Sequence, residues 1–184
     1  MKPIPAGAPV FARSIEYGSI HFETYKTQTD KGRTIEVGVP VNPKPPAYWC
    51  HAHSSLSYHL FGYSVPAESL KLVLEDEYEE VSKKPERGDI VVWWQDEKWK
   101  HSARIESAVH HFGSASTDVL VSNKPGLALP LQTRIPIADA IPKDQVGKWV
   151  RMGKYFRRKG NDPFFKKPID EILAWAKQRP AATR

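Results

Sequence analysis

The order of local patterns predicts an α+β fold, and three observations carry that expectation. The central strand candidates are joined by hairpin-length connections, which permit antiparallel and not parallel pairing. Two stretches with helical apolar spacing precede them. Two more follow, so helices and strands are segregated rather than strictly alternating. The 184 residues fit one domain, and 40% hydrophobic content with six Trp and seven Phe supplies a real core. Within that domain, residues 1–44 read as a β extension, 45–136 as the core and 137–184 as a basic, helical C-terminus.

Taken in order, Ser14–Tyr25 mixes apolar and polar β-formers, and Thr29-Asp30-Lys31-Gly32 is a turn signal. Thr34–Val41 alternates as a half-buried strand does. Residues 42–46 hold three prolines and read as an extended lead-in. Cys50–Phe61 spaces Ala52, Leu56 and Leu60 four apart, one helical face that Gly62 ends. Ser64-Val65-Pro66-Ala67-Glu68 starts a helix whose buried stripe is Leu70, Val73, Leu74 and Tyr78. Lys83–Gly88 is a turn, and Asp89–Trp94 is the continuous apolar run of a central strand. Gln95–Lys98 is a hairpin tip. Trp99–Val109 sets Ser102, Arg104 and Glu106 against Ala103, Ile105 and Ser107, so it is the next strand. His111–Thr117 turns, Val119-Leu120-Val121 is a third strand, Asn123–Gly126 turns again and Leu127–Ile135 is extended. From Gln145, Val146, Trp149, Val150, Gly153 and Phe156 form one helical face, and Ile169–Lys177 is a last short helix.

No apolar run approaches the ~18 residues of a membrane span. Met1–Ala6 lacks the apolar stretch of a cleaved signal peptide, so the expectation is a chain made and kept in the cytosol or exported by a specialised route. A single cysteine excludes an intramolecular disulfide and a multi-cysteine zinc site. The net charge of +6 is uneven: residues 143–167 hold nine Lys or Arg against two Asp, a local +7 that leaves the remainder at −1.

That cysteine lies in Ala47-Tyr48-Trp49-Cys50-His51-Ala52-His53-Ser54. Downstream come Arg87-Gly88-Asp89-Ile90-Val91-Val92-Trp93-Trp94 and then His101-Ser102-Ala103-Arg104-Ile105. A thiol attacks as thiolate, and both a helix start and a nearby imidazolium favour that anion. Cys50 at a helix start has the first aid, and His101 opening the following strand offers the second. His101 would then protonate the leaving amine, and a third polar group would orient its ring. Asp89 reads as the cap of its turn, and Trp93, Trp94 and Trp99 as core or groove lining.

The arrangement resembles the papain-like cysteine amidases of bacteria, the CHAP and NlpC-type hydrolases. The matching residues are Cys50, Gly88-Asp89-Ile90-Val91-Val92-Trp93 and His101-Ser102-Ala103-Arg104-Ile105, and the resemblance spans roughly residues 45–125. It implies a papain-like core, with a helix packed on an antiparallel sheet, that needs no cofactor or metal and hydrolyses peptide or peptidoglycan cross-bridge amides through a thioester. It also implies an oxyanion donor from the Cys50 backbone and from Tyr48, with Trp49 and His51 beside the thiol in the substrate-binding group. Two departures stand out. His51 occupies a position where these families carry a small residue. The third catalytic residue has no clear match: Asn123 is preferred because its amide oxygen can accept from imidazole, with Ser122, His110 and His111 open. Two settings fit such a chain, a cytosolic peptidase and a toxin-like effector with an immunity or delivery partner.

Two other classes compete. Cys50, His51, His53 and His101 are ligand types that zinc accepts, although residues 51 and 53 lie about 200° apart on a helix and one site cannot easily use both. A binding module would use Arg151, Lys154 and Arg158, among other basic residues after 143, to hold an anionic partner. Trp149, Tyr155 and Phe156 are the aromatics there and the core needs them, which argues against nucleic acid. A solvated helix face is the simplest reading of the charge.

Overall fold

The computed structural model describes residues 1–5, 7–17, 20–41, 47–82, 84–111, 117–127, 129–160 and 162–179. The proline-rich lead-in expected at 42–46 and most of the turn expected before residue 117 lie outside them. The fold is mixed α+β, with two antiparallel sheets. The smaller one orders β1 (Phe11–Tyr17), β2 (Ile20–Gln28) and β3 (Thr34–Pro40) as a meander. The larger one orders six strands β4-β9-β5-β6-β7-β8. These are Tyr78–Val81, Lys154–Arg158, Ile90–Gln95, Lys98–His110, Thr117–Asn123 and Gln132–Pro136 respectively. The helices are α1 (Cys50–Ser54), α2 (Ser57–Phe61), α3 (Ala67–Glu77), α4 (Val146–Met152) and α5 (Ile169–Gln178).

The two sheets share one apolar cluster. Ile35, Val37 and Val39 of β3 meet Leu70, Val73 and Leu74 of α3 and Ile90 and Val92 of β5. A second cluster joins Val91 and Trp93 of β5, Ala103 and Ile105 of β6, Val121 of β7 and Trp149 of α4. Strand β6 therefore buries both faces. Ala103 and Ile105 enter that cluster, while Ser102 reaches α1 and Arg104 and Glu106 reach residues 165 and 169. This is the period-2 alternation of a central strand with polar groups buried on one side.

Three expectations about helices fail. The helix expected over Cys50–Phe61 is two, because Leu56 sits in the left-handed region at φ 60. That strain is held by packing: Leu56 is fully buried against Ile169 and Ile172 of α5. The Ser57 hydroxyl donates to the carbonyls of Ala52 (3.3 Å) and Tyr63 (3.0 Å), meeting backbone acceptors at the break. Tyr78 does not extend the stripe of α3 but opens β4.

The helix expected from Gln145 through Phe156 ends at Met152. Gly153 lies against Trp93 and Val91, where an added Cβ would come within 3.2 Å of the indole nitrogen. Beyond it Tyr155 packs with one cluster and Phe156 with the other, the alternation of a strand. Strand β9 pairs with both β4 and β5, so the segment 137–184 supplies an inner strand of the main sheet as well as helices.

Gly88 explains the Gly-Asp turn. Its φ is +94, and a Cβ there would lie 2.1 Å from the Phe165 carbonyl oxygen, so only glycine fits. Asp89 caps the turn by accepting from the Glu86 amide at 2.8 Å and pairs with Arg157 at 2.9 Å. The turn thereby starts β5 in register with β6, pairing Trp93 with His101.

Candidate active site

Cys50 is the first residue of α1, and extended Trp49 precedes it. Trp49 stacks on Phe22 of β2, with ring centroids 4.9 Å apart and planes 14° apart. The small sheet thus anchors the chain where it enters the helix. The thiol is half-buried. Burial disfavours its anion and would raise the pKa. The charges of His51 and His101 and their hydrogen bonds to sulfur outweigh burial and hold the thiol well below its ordinary value. The Cys50 sulfur lies 3.7 Å from His51 Nδ1.

His101 carries the reciprocal shift. Burial would lower its pKa, but the Cys50 charge, the hydrogen bond with sulfur and the bond with Asn123 raise it. The two groups therefore favour a thiolate–imidazolium pair. Asn123, at the end of β7, puts Oδ1 2.6 Å from His101 Nε2. The Asn123 amide nitrogen donates to Gln132 Oε1 at 2.9 Å and to the Ala140 carbonyl at 3.4 Å, which fixes the amide so that its oxygen faces the imidazole. Trp93 stacks on the His101 ring at 5.6 Å and 18°. Cys50, His101 and Asn123, named from the sequence, are thus brought together. Ser122 points elsewhere, and His111 is exposed and bonds Asp118 at 2.8 Å. His110 lies exposed near the far end of β6.

Two buried polar chains surround this triad. In the first, His51 Nδ1 lies 2.7 Å from Ser102 Oγ, and Ser102 Oγ lies 2.7 Å from Ser54 Oγ. In the second, Ser122 donates to Glu106 Oε1 at 2.9 Å and so accepts from His53 Nε2 at 2.9 Å. His53 Nδ1 then accepts from His59 Nε2 at 3.1 Å. Glu106 also accepts from the Ile169 amide at 3.0 Å and stands 4.0 Å from the buried Arg104 guanidinium. Burial pushes His53 well down, helped by the charges of His59, Arg104 and Lys124. Burial likewise pushes His59 down to about 4. Both shifts favour the neutral rings. Sequence reasoning missed Ser102, Glu106, Arg104 and His59 as parts of the site. The signal available was the alternation of Ser102, Arg104 and Glu106 with Ala103 and Ile105 along β6.

Other candidates lie differently. Tyr48 is buried and stacked on Tyr58 at 4.0 Å, edge-on to His59 and under Lys124 Nζ. Burial pushes its phenol up to about 12. Its ring stands beside the second polar chain, 6.4 Å from the His53 ring and 5.3 Å from the His59 ring. Lys154 and Arg158 are on β9 and not on a helix. Lys154 bonds Glu80 at 3.1 Å, and Arg158 pairs with Glu77 at 2.9 Å and Asp30 at 3.0 Å. Arg151 is exposed on α4. Of the three residues an anion-binding module would use, two are thus paired with carboxylates.

His51 and His53 reach different hydroxyls on different strands. Among the described residues no three His, Cys, Asp or Glu side chains converge as a metal site would need. A cleft of about 390 Å³ is lined by Trp94, Trp99 and Phe156 with Glu80, Glu97 and Lys154, and none of Cys50, His101 or Asn123 lines it. It places Trp94 and Trp99 in a groove away from the thiol, while Trp93 is core. Among the described residues no helix is long and apolar enough to cross a membrane. Compared with family models, with curated proteins and with solved structures, the chain matches none.

Proposed function

We propose that this chain is a cysteine-dependent amide hydrolase with a papain-like core, acting on peptide or peptidoglycan cross-bridge amides. The single observation that carries the reading is the His101 imidazole shared between the Cys50 thiol and Asn123 Oδ1, the latter at 2.6 Å. Nucleophile, acid–base group and orienting group are in sequence on three elements: α1, β6 and β7.

In this reading the Cys50 thiolate attacks the amide carbon and the carbonyl oxygen becomes an oxyanion. The His101 imidazolium gives its proton to the leaving nitrogen, the C–N bond breaks and an amine departs, leaving a Cys50 thioester. Neutral His101 then takes a proton from water as the oxygen attacks the thioester carbon. The C–S bond breaks, a carboxylic acid leaves and the thiolate–imidazolium pair is restored. Asn123 keeps Nε2–H occupied, so the other ring nitrogen serves the sulfur and the leaving group.

A panel of peptides and peptidoglycan fragments, read by released amine, tests the reading with Cys50→Ala as control. Release by the wild type and none by a folded Cys50→Ala supports it. Equal release by both, or covalent labelling of another residue by a substrate-derived electrophile, contradicts it.

A further inference from the structure

His51 is the position at which the sequence departs from the resembled families, and the structure puts its ring at the sulfur. Its Nδ1 is 3.7 Å from Cys50 Sγ and 2.7 Å from Ser102 Oγ. Ser102 Oγ is 2.7 Å from Ser54 Oγ, and Ser54 Oγ donates to the His51 carbonyl at 3.3 Å. His51, Ser102 and Ser54 are all buried. One set of hydroxyl directions suits the thiolate. Ser54 gives its proton to the His51 carbonyl, which also accepts from Ser55 Oγ at 2.7 Å, and accepts from Ser102. Ser102 then accepts from His51, which puts a proton on Nδ1. The reverse direction would turn an Nδ1 lone pair toward a thiolate, which repels it. Loop closure through the carbonyl of the same residue holds this arrangement in place.

We propose that His51 is a second functional imidazole, its Nδ1–H shared between Ser102 Oγ at 2.7 Å and the Cys50 thiolate at 3.7 Å. It acts where His101 cannot: His101 must surrender its proton to the leaving group, whereas the Nδ1 proton of His51 stays on its ring, shared between Ser102 and the sulfur, throughout. The thiolate that leaves in deacylation therefore meets a donor that has not been consumed. The elements packed against α1 present other titratable or charged groups, and each has its own partner. On β6, Arg104 faces Glu106; after β7, Lys124 Nζ donates to the carbonyls of Gly126, Leu127 and Leu129; on α2, His59 faces His53. His101 and His51 are the two that act on the sulfur.

The proposal rests on Cys50 being the nucleophile, and the test separates the two. Iodoacetamide alkylation of Cys50 is followed against pH in the wild type, His51→Leu, His51→Asn, Ser102→Ala and His101→Ala, with folding checked by circular dichroism. The wild-type midpoint should fall far below the ~8.5 of a free thiol. His51→Leu should move it up by about one unit, roughly a tenfold loss of rate on the acid side. His51→Asn, whose amide nitrogen can stand in for Nδ1–H, should recover at least half of that shift. His101→Ala should raise the midpoint yet leave it below a free thiol's. A wild-type midpoint in His51→Leu, or a His51→Asn no better than His51→Leu, overturns the proposal. If His51→Leu does not fold, Ser102→Ala carries the test: it keeps the ring and removes the acceptor that fixes its proton, and an unchanged midpoint there overturns it. A free-thiol midpoint in the wild type instead sinks the nucleophile assignment itself.

Discussion

His101 donates from Nε2 to Asn123 Oδ1 across 2.6 Å, from the first half of β6 to the last residue of β7. The bond settles which ring nitrogen is left for the sulfur. It depends on Gln132 and the Ala140 carbonyl, which take the Asn123 amide protons and prevent the amide from turning over. Trp93, fully buried and stacked on the ring, blocks rotation out of that plane.

Asn123→Ala should fold, because the residue replaced lies at a strand end and loses three hydrogen bonds rather than core volume. Its kcat should drop by roughly 10- to 100-fold, a part of the 10²–10⁴ that a positioned acid–base group supplies. KM should change little. Steady-state kinetics on a released-amine substrate checks this, and an unchanged kcat would remove Asn123 from the site.

Gly88→Ala should cost stability. The new Cβ meets the Phe165 carbonyl at 2.1 Å and the backbone is in the left-handed region, so a loss of roughly 2–4 kcal/mol is expected from strain and crowding together. Urea unfolding of the two proteins measures it. A loss within error of zero would mean that residues 163–166 move away freely.

The buried histidines predict acid sensitivity. His59 is depressed to about 4, and His53 is depressed in the same direction. Between the unfolded value near ~6.5 and those folded values the unfolded chain binds more protons, so stability is present above ~6.5 and lost as pH falls. His59→Gln retains an N–H for His53 Nδ1 and removes one titration. Its unfolding free energy should therefore fall less than the wild type's between about pH 7 and about pH 5. Equal losses would assign the acid sensitivity elsewhere.

Much of the candidate site was legible because its chemistry is carried by residue types with few other uses. One cysteine and a histidine opening the next strand sufficed to name Cys50 and His101 as candidates, and an amide that can accept from imidazole to prefer Asn123 over Ser122, His110 and His111. Asp89 could be read as a cap from its Gly-Asp context. The fold class followed from connection lengths, β5 and β7 from their apolar runs, and β6 from its alternation. What was not legible depends on tertiary contact. The four-residue spacing of Ala52, Leu56 and Leu60 is that of one helix, and the break at Leu56 comes from α5, more than a hundred residues away. Val146–Phe156 has helical spacing too, but Tyr155 and Phe156 face two different cores, which only the neighbouring strands decide. The basic residues looked like a charged helix face because their carboxylate partners, Glu77, Glu80 and Asp30, are distant in sequence.

The thiol and imidazole shifts predict a bell-shaped pH dependence of kcat/KM. The Cys50 anion is lost as pH falls through its lowered value, and the His101 cation is lost as pH rises through its raised value. The active window should thus include the interval from ~6.5 to ~8.5 that separates the ordinary values of the two groups. The two limbs belong to the pair rather than to either residue. A profile that only rises toward alkaline pH would signal a thiol ionising alone.

The most direct measurement is the ultraviolet absorbance of the thiolate as a function of pH, with Cys50→Ser as the baseline. Cys50 is the single cysteine, so the difference reports one sulfur. The pair described here predicts thiolate absorbance persisting far below pH ~8.5, with a midpoint that moves up when His101 is replaced by alanine. Absorbance that appears only near pH ~8.5, indifferent to His101→Ala, would contradict the claim that Cys50 is an activated nucleophile.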